Sequence, residues 1–237
     1  MKKYIYIIFI VSVLMSFGCS SETEKANTAV NTAANAPVNT VAETEPEIDV
    51  NAPFVPSENP KDDLLNSTKR LQAYQAWAAT LTNDAMPELK TELEYIKPDR
   101  YRVKNDGSEI VVIGSDAYAK QDGGEWEMLP EDIGAQINQM KKNFNAEGMK
   151  AIIEVKKSAT EKLNGKDATV YTYSIEPNEQ TVENSTKVWI ANDNGLPLKI
   201  VVETENGGQK QKVTTVYDYT KKVSIEAPEI KEIPEKK

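Results

Sequence analysis

The residue types that usually carry chemistry are few in this chain of 237 residues. There is no histidine, which removes Ser–His and Cys–His nucleophile pairs and every histidine-ligated metal site. Carboxylates remain. Glu125, Glu127, Glu131 and Asp132 crowd around one turn, and two carboxyl groups in different surroundings can act as acid and base. A solvated hairpin followed by the acidic start of a helix explains the same cluster without chemistry. The stretch NDNG (192–195) offers oxygen ligands but lacks the rest of a calcium loop, so a tight turn is expected there. No enzymatic activity, metal or cofactor is expected. The one remaining reactive group is the thiol of Cys19, the sole cysteine, which has no partner for an intrachain disulfide.

The surroundings of Cys19 give it a role. Lys2 and Lys3 precede a nearly unbroken apolar run over residues 4–18, closed by SFGCSS. The run is shorter than the roughly 20 residues of a transmembrane helix and has the form of a secretory signal. A lone cysteine directly after such a run resembles the lipidation acceptor of bacterial lipoproteins. That pattern places Leu three residues before the cysteine, where this chain has Ser16, with Leu14 and Met15 behind it. An ordinary signal peptide with an incidental cysteine is the plainer alternative. Acyl chains at Cys19 would hold the mature protein to a membrane. Ser20 is not the Asp that retains Gram-negative lipoproteins at the inner membrane, so the resemblance implies an outer-membrane anchor facing the periplasm.

The elements follow from composition and period. Residues 1–18 are read as the signal and 19–58 as the lipidated cysteine and a disordered tether. This tether is rich in Asn, Thr, Ala, Pro and Glu, too poor in apolar surface to offset its chain entropy, and reaches roughly 30–35 Å as a coil. The net charge of −9 leaves no basic patch for nucleic acid, nor any attraction to anionic headgroups.

Residues 59–237 are read as one domain. It opens with a helix that Asn59 or Ser57 can cap, with Pro60, Asp62 and Asp63 in its first turn. Leu64, Leu71 and Tyr74 recur at helical spacing and Ala78 and Leu81 continue it. AWAATLT nevertheless reads better as a first strand, so the helix is expected to break near Tyr74. A period of two follows: Leu89, Thr91, Leu93 and Tyr95 against Lys90, Glu92 and Glu94, then Tyr101 and Val103 against Arg102 and Lys104. Further strands set Tyr171, Tyr173 and Ile175 against Val170, Thr172 and Ser174. They set Val188 and Ile190 against Lys187 and Trp189, and Leu198, Ile200 and Val202 against Lys199 and Glu203. Glycine turns at 105–107, 122–124, 164–167, 192–195 and 206–208 join consecutive antiparallel strands. Between the halves, Ile133, Ile137, Met140 and Phe144 mark an amphipathic helix closed by Gly148. Two helices and about ten strands predict an α+β domain. The arrangement is a strongly curved antiparallel sheet with two helices covering its concave face.

Ile110 and Val112 lie on one face of their strand and Val111 and Ile113 on the other. The convex side there is expected to be covered by a loop or the chain terminus.

EYIKPDRYRV, EIVVIGSDAYAKQDGGEWEMLP, KVWIANDNGLPLKIVVE and TTVYDYTKKVSIEAP, in this order behind a lipoprotein-like signal, resemble the LolA/LolB-like superfamily of bacterial envelope lipoproteins. LppX/LprG-type lipid-binding lipoproteins are among its members. The resemblance covers most of residues 60–228. It implies an unclosed β-barrel whose apolar hollow takes a lipid or acylated ligand. The inward-facing candidates for that site are Leu71, Leu93, Tyr95, Tyr101, Ile110, Val112, Trp126, Ile137, Met140, Tyr171 and Tyr173. Any of them can equally be packed core. The alternative function is a protein-interaction or sensor module with a filled core and an envelope protein as partner.

Overall fold

The computed structural model describes residues 48–130, 152–176, 184–206 and 209–230. Their architecture is one helix and one large antiparallel sheet. Helix α1 spans Pro60–Ala73. The strands are β1 (Ala76–Asn83), β2 (Met86–Ile96), β3 (Arg100–Lys104), β4 (Ser108–Ile113), β5 (Asp116–Gln121) and β6 (Glu127–Met128). After residues 129–151 come β7 (Ile152–Leu163), β8 (Lys166–Ile175), β9 (Asn184–Ala191), β10 (Pro197–Asn206) and β11 (Gln209–Asp218). All eleven join one open sheet in the order β6-β5-β4-β3-β2-β1-β11-β10-β9-β8-β7. The two halves of the chain are thus two meanders, joined where β1 pairs with β11. The expected second helix, with Ile137 and Met140, lies outside the described residues.

Helix α1 begins and ends as its sequence dictates. The Asn59 side chain accepts from the Lys61 amide, Pro60 occupies the first turn, and Tyr74 caps the end in extended conformation. Lys61, unfavourable beside a positive helix end, turns its amine to the Ile152 carbonyl at 2.9 Å. The helix therefore stops at the expected residue and β1 starts directly behind it.

Residues 52–54, expected within a disordered tether, are fastened to the domain. Phe54 is buried in a cluster with Leu64, Ile152, Tyr171, Val188 and Ile190, and its amide donates to the Asp193 carbonyl. Arg70 then closes over it. Its guanidinium lies 5.8 Å from the Phe54 ring and donates to the carbonyls of Ala52 and Asn194 at 2.8 and 2.9 Å. Composition marks residues 48–58 as linker, but one aromatic and three carbonyls suffice to fasten them.

Strand alternation holds along β9 and is broken in β10. Val188 and Ile190 face α1, while Trp189 joins Ala168, Val170, Ala191 and Leu198 on the far face. Leu198 was expected beside Ile200. The pairing of β10 with β9 shifts register between Pro197 and Lys199, and this bulge turns Leu198 to the far side.

The far face of β2–β4 is covered by the chain terminus, as the double-sided apolar pattern of β4 requires. Arg100 and Arg102 reach out from β3 to the carbonyls of Ile225 and Ser224 at 2.9 and 3.0 Å, and Lys221 meets Glu94 at 2.9 Å. Ile225 and Val111 are both buried.

Candidate functional site

The strand register decides which side chains share the helix-bearing face. Ala79 sits opposite Leu93 and Tyr217, Tyr95 opposite Trp77 and Tyr101, and Val103 and Tyr101 opposite Ile110 and Val112. Counting in twos along β1, β2, β3 and β11 gives Trp77, Ala79, Leu81, Thr91, Leu93, Tyr95, Tyr101, Val103, Val213, Thr215 and Tyr217 on this face. None carries a charge.

Three zones lie side by side on that face. Beneath α1 it is sealed: Tyr171 is fully buried, and its hydroxyl donates to Asp63 at 2.7 Å. Asp63 also accepts from the Ser57 amide and stands 3.6 Å from the Lys157 amine. At the other side, Ile110, Val112, Ala117, Ala119 and Leu129 form a second packed cluster, with Tyr101 and Val103 against it. Between them runs a band of rings. Tyr101 and Tyr95 lie 4.9 Å apart, Tyr95 and Trp77 5.4 Å, and Trp77 and Tyr217 5.4 Å. The rings continue round the sheet to Tyr219, which stacks on Tyr217 at 6.0 Å and packs against the far-face cluster of Trp189 and Leu198, and to Tyr74 at the end of α1, 5.1 Å from Tyr219.

The band is dry without being closed off. Trp77, Leu93, Tyr101, Tyr173 and Tyr217 are only half-buried, yet desolvation raises the pKa of Tyr95, Tyr101, Tyr173, Tyr217 and Tyr219. Burial and the nearby Asp99 raise Tyr95. Burial, then Tyr95 and Asp99, raise Tyr101 far above its ordinary value. Burial pushes Tyr173 up to about 12. Burial and Tyr173 raise Tyr217 further still. Rings in such surroundings offer an apolar wall with hydroxyls as the only polar features.

The sequence-derived candidates divide accordingly. Leu93, Tyr95, Tyr101 and Tyr173 fall on the band or its margin. Ile110 and Val112 fall in the packed flank, and Tyr171 under the helix; Leu71 is half-buried on α1. Trp126 does not line this face. Its ring lies 4.9 Å from the Lys120 amine, and Lys120 pairs with Glu109 on the far face. The strand behind Trp126 is only two residues long, too short to carry the alternation back to it. Ile137 and Met140 lie outside the described residues. The sequence-derived candidates leave out Trp77, Tyr217 and Tyr219. The alternation of VTTVYDY (213–219) sets Tyr217 and Tyr219 with Val213 and Thr215, but Trp77 stands at a helix-to-strand boundary where period gives no face.

Glu125 and Glu127 are exposed, and among the described residues no group of three acidic or thiol side chains is placed to hold a metal ion. The far face carries a separate network, with Arg102 on Glu94 and Glu109 at 2.9 and 3.4 Å.

No family model matches the chain, and no curated protein matches it in sequence. Solved structures do match. LppX, a lipoprotein of Mycobacterium tuberculosis, superposes with a TM-score of 0.53 at 13% identity, over 70% of this chain and 98% of its own. LprF of Mycobacterium bovis gives 0.53 at 13% identity, over 73% and 98%. Likeness at such identity is one of fold, and the fold of this chain is similar to that of these two lipoproteins.

Proposed function

We propose that this protein is an envelope lipoprotein, anchored through acyl chains on Cys19, whose domain holds a lipid or an acylated ligand on the aromatic band. The carrying observation is that band. A face of eleven apolar or uncharged positions, seven half-buried and four buried, crosses four strands between two packed zones. Acyl chains need no catalytic group, only a dry wall. The shared fold with a mycobacterial lipoprotein supports the general role.

The curvature and the second helix belong to the same proposal. An open sheet of more than about ten strands curls. Residues 129–151 join β6 to β7, the two opposite edges, and the flanking Leu129 and Ile152 are both buried on the helix-bearing face. The amphipathic pattern of Ile133, Ile137, Met140 and Phe144 in that segment would give a covering helix its apolar face. The anchor would then hang the domain from the outer membrane on a tether of about 30 residues.

The test is native mass spectrometry of the mature chain carrying Cys19→Ser, purified from a bacterial envelope. Co-purified acyl species, lost in Trp77→Asp, are expected. A ligand-free domain that cross-links in the envelope to one dominant protein would replace this reading with the interaction module.

A further inference from the structure

The sheet has two ends, and the aromatic rings gather at one of them. β1 and β3 begin where β2 and β11 finish. Trp77 and Tyr101 are each second in their strands, and Tyr95 and Tyr217 are each second from last. All four therefore lie at the same end. Tyr74 at the close of α1 and Tyr219 just past β11 join them there. Of these rings only Tyr95 is buried; the others are half-buried. At the opposite end the same strands and their turn carry Asp84, Glu88, Lys104, Lys210 and Lys212, and no ring.

Residues 52–54 enter the domain at this ring end. The Phe54 amide donates to the Asp193 carbonyl, and Arg70 joins the carbonyls of Ala52 and Asn194. Asp193 and Asn194 lie in the turn from β9 to β10. The first residue of β10, Pro197, accepts from the Tyr219 hydroxyl at 2.6 Å, so the fastening and the rings adjoin. From Ala52 the chain leads back to Cys19. As a coil, residues 20–51 reach roughly 30 Å, about the rise of one ten-residue strand, ~33 Å. The opposite end meets an anchoring membrane only by using that whole reach, whereas the ring end meets it at once. Half-buried tyrosine and tryptophan, apolar in body and polar at the tip, settle at a lipid–water boundary. The turns and strand starts at the ring end carry Asp99, Asp116, Asp167 and Asp193 against Lys97 and Lys166. Anionic headgroups gain nothing from that balance, so the lipid it suits is zwitterionic.

We propose that the ring end of the sheet rests on the membrane that carries the Cys19 anchor, with Trp77, Tyr101 and Tyr217 toward a zwitterionic lipid surface. The fastening of residues 52–54 sets this orientation. Acyl chains then pass between the bilayer and the aromatic band without crossing water. This rests on the anchor and acyl-ligand reading above and adds which end of the domain faces the bilayer.

The experiment couples the mature chain through its single thiol, Cys19, to a maleimide lipid in phosphatidylcholine vesicles that also contain a headgroup-nitroxide lipid. Two chains are compared, and neither substitution removes a ring. Trp126→Phe leaves Trp77 to report the ring end. Trp77→Phe leaves Trp126, which follows β5 at the opposite end, and Trp189 is common to both. Each is made with the whole tether and with residues 22–45 deleted. The deletion leaves 20–21 and 46–51, a reach of roughly 16 Å. The nitroxide should remove the Trp77 emission in the Trp126→Phe chain and spare Trp126 in the Trp77→Phe chain. Deletion should widen that difference, and added salt should not change it. Equal loss in the two chains, greater loss in Trp77→Phe, or full emission in both would overturn the orientation. Acyl species still co-purifying with the Cys19→Ser chain in native mass spectrometry would then leave the acyl-ligand reading standing; their absence would remove both.

Discussion

Gly195 shows how much a single position decides. It adopts a positive φ of 69°, and a Cβ built on it would lie 2.5 Å from the Phe54 ring and 3.0 Å from Arg70. The glycine therefore serves both the turn and the fastening of residues 48–58. Gly195→Ala should destabilise the domain by about 1–3 kcal/mol, read as a lower urea midpoint. Gly165 makes a contrast. It is also at positive φ, but nothing lies within 4 Å of its Cβ direction, so Gly165→Ala should cost only the backbone strain, about 1 kcal/mol.

The phenols give a second prediction at this scale. Tyr173 is pushed from 10.0 to about 12 by burial, so the folded state keeps its proton where the unfolded chain gives it up. Its contribution is full below pH 10 and is lost as pH rises through 12. Tyr95, Tyr101, Tyr171, Tyr217 and Tyr219 shift the same way. Stability should therefore fall steeply above pH 10, and tyrosinate absorbance should rise together with unfolding instead of before it. Phenols titrating at pH 10 in the folded chain would mean the band is wet. The faces of Tyr95, Tyr101, Tyr171 and Tyr173 were legible from a period of two. What separates Tyr171 from the others was not, because its partner Asp63 lies 108 residues away.

Among the elements, α1 is pinned to the sheet at a buried carboxylate. Asp63, 2% exposed, accepts from Ser57 and Tyr171 and faces Lys157. Asp63→Ala strands the Tyr171 hydroxyl and the Ser57 amide and should cost about 2–4 kcal/mol. Its neighbour Asp62 is exposed, and Asp62→Ala should cost only the few tenths to about 1 kcal/mol of a charge at a helix start. Chemical denaturation of the two variants separates these outcomes; equal losses would show that both act through the helix dipole alone. The sequence displayed both aspartates as helix-start acids, since propensity treats them alike. Only the facing strand distinguishes them. The same limit explains Leu198, where alternation is a local rule and the bulge against β9 is a pairing event. Strand β7 carries two such irregularities along a free edge, with Lys156, Lys157 and Lys162 on it. Bulges and lysines are what keep an exposed edge from pairing with another chain.

At the scale of the molecule, the terminus closes what the sheet leaves open. Residues 221–230 lie over the far face of β2–β4, with Ile225 1% exposed and two arginines donating to its carbonyl and that of Ser224. Two forces could hold this strap: ion pairs from Lys221 to Glu92 and Glu94, or burial of Ile225 with the arginine–carbonyl bonds. Lys221 is substantially exposed, and such pairs contribute about 0–1 kcal/mol, whereas fully burying an isoleucine contributes about 1.5–3 kcal/mol. Burial should win. Truncation before Lys221 is then expected to lower stability by about 3 kcal/mol, because Val111 also loses its cover. Ile225→Ala should reproduce most of that loss, and Lys221→Ala little of it. Raising salt to about 1 M, where the screening length is about 3 Å, discriminates directly in urea titrations of the intact chain. A drop matching the truncation would assign the strap to its charges. An unchanged midpoint would leave the apolar contact, which β4 announces by being apolar on both faces, as the reason the chain does not end at β11.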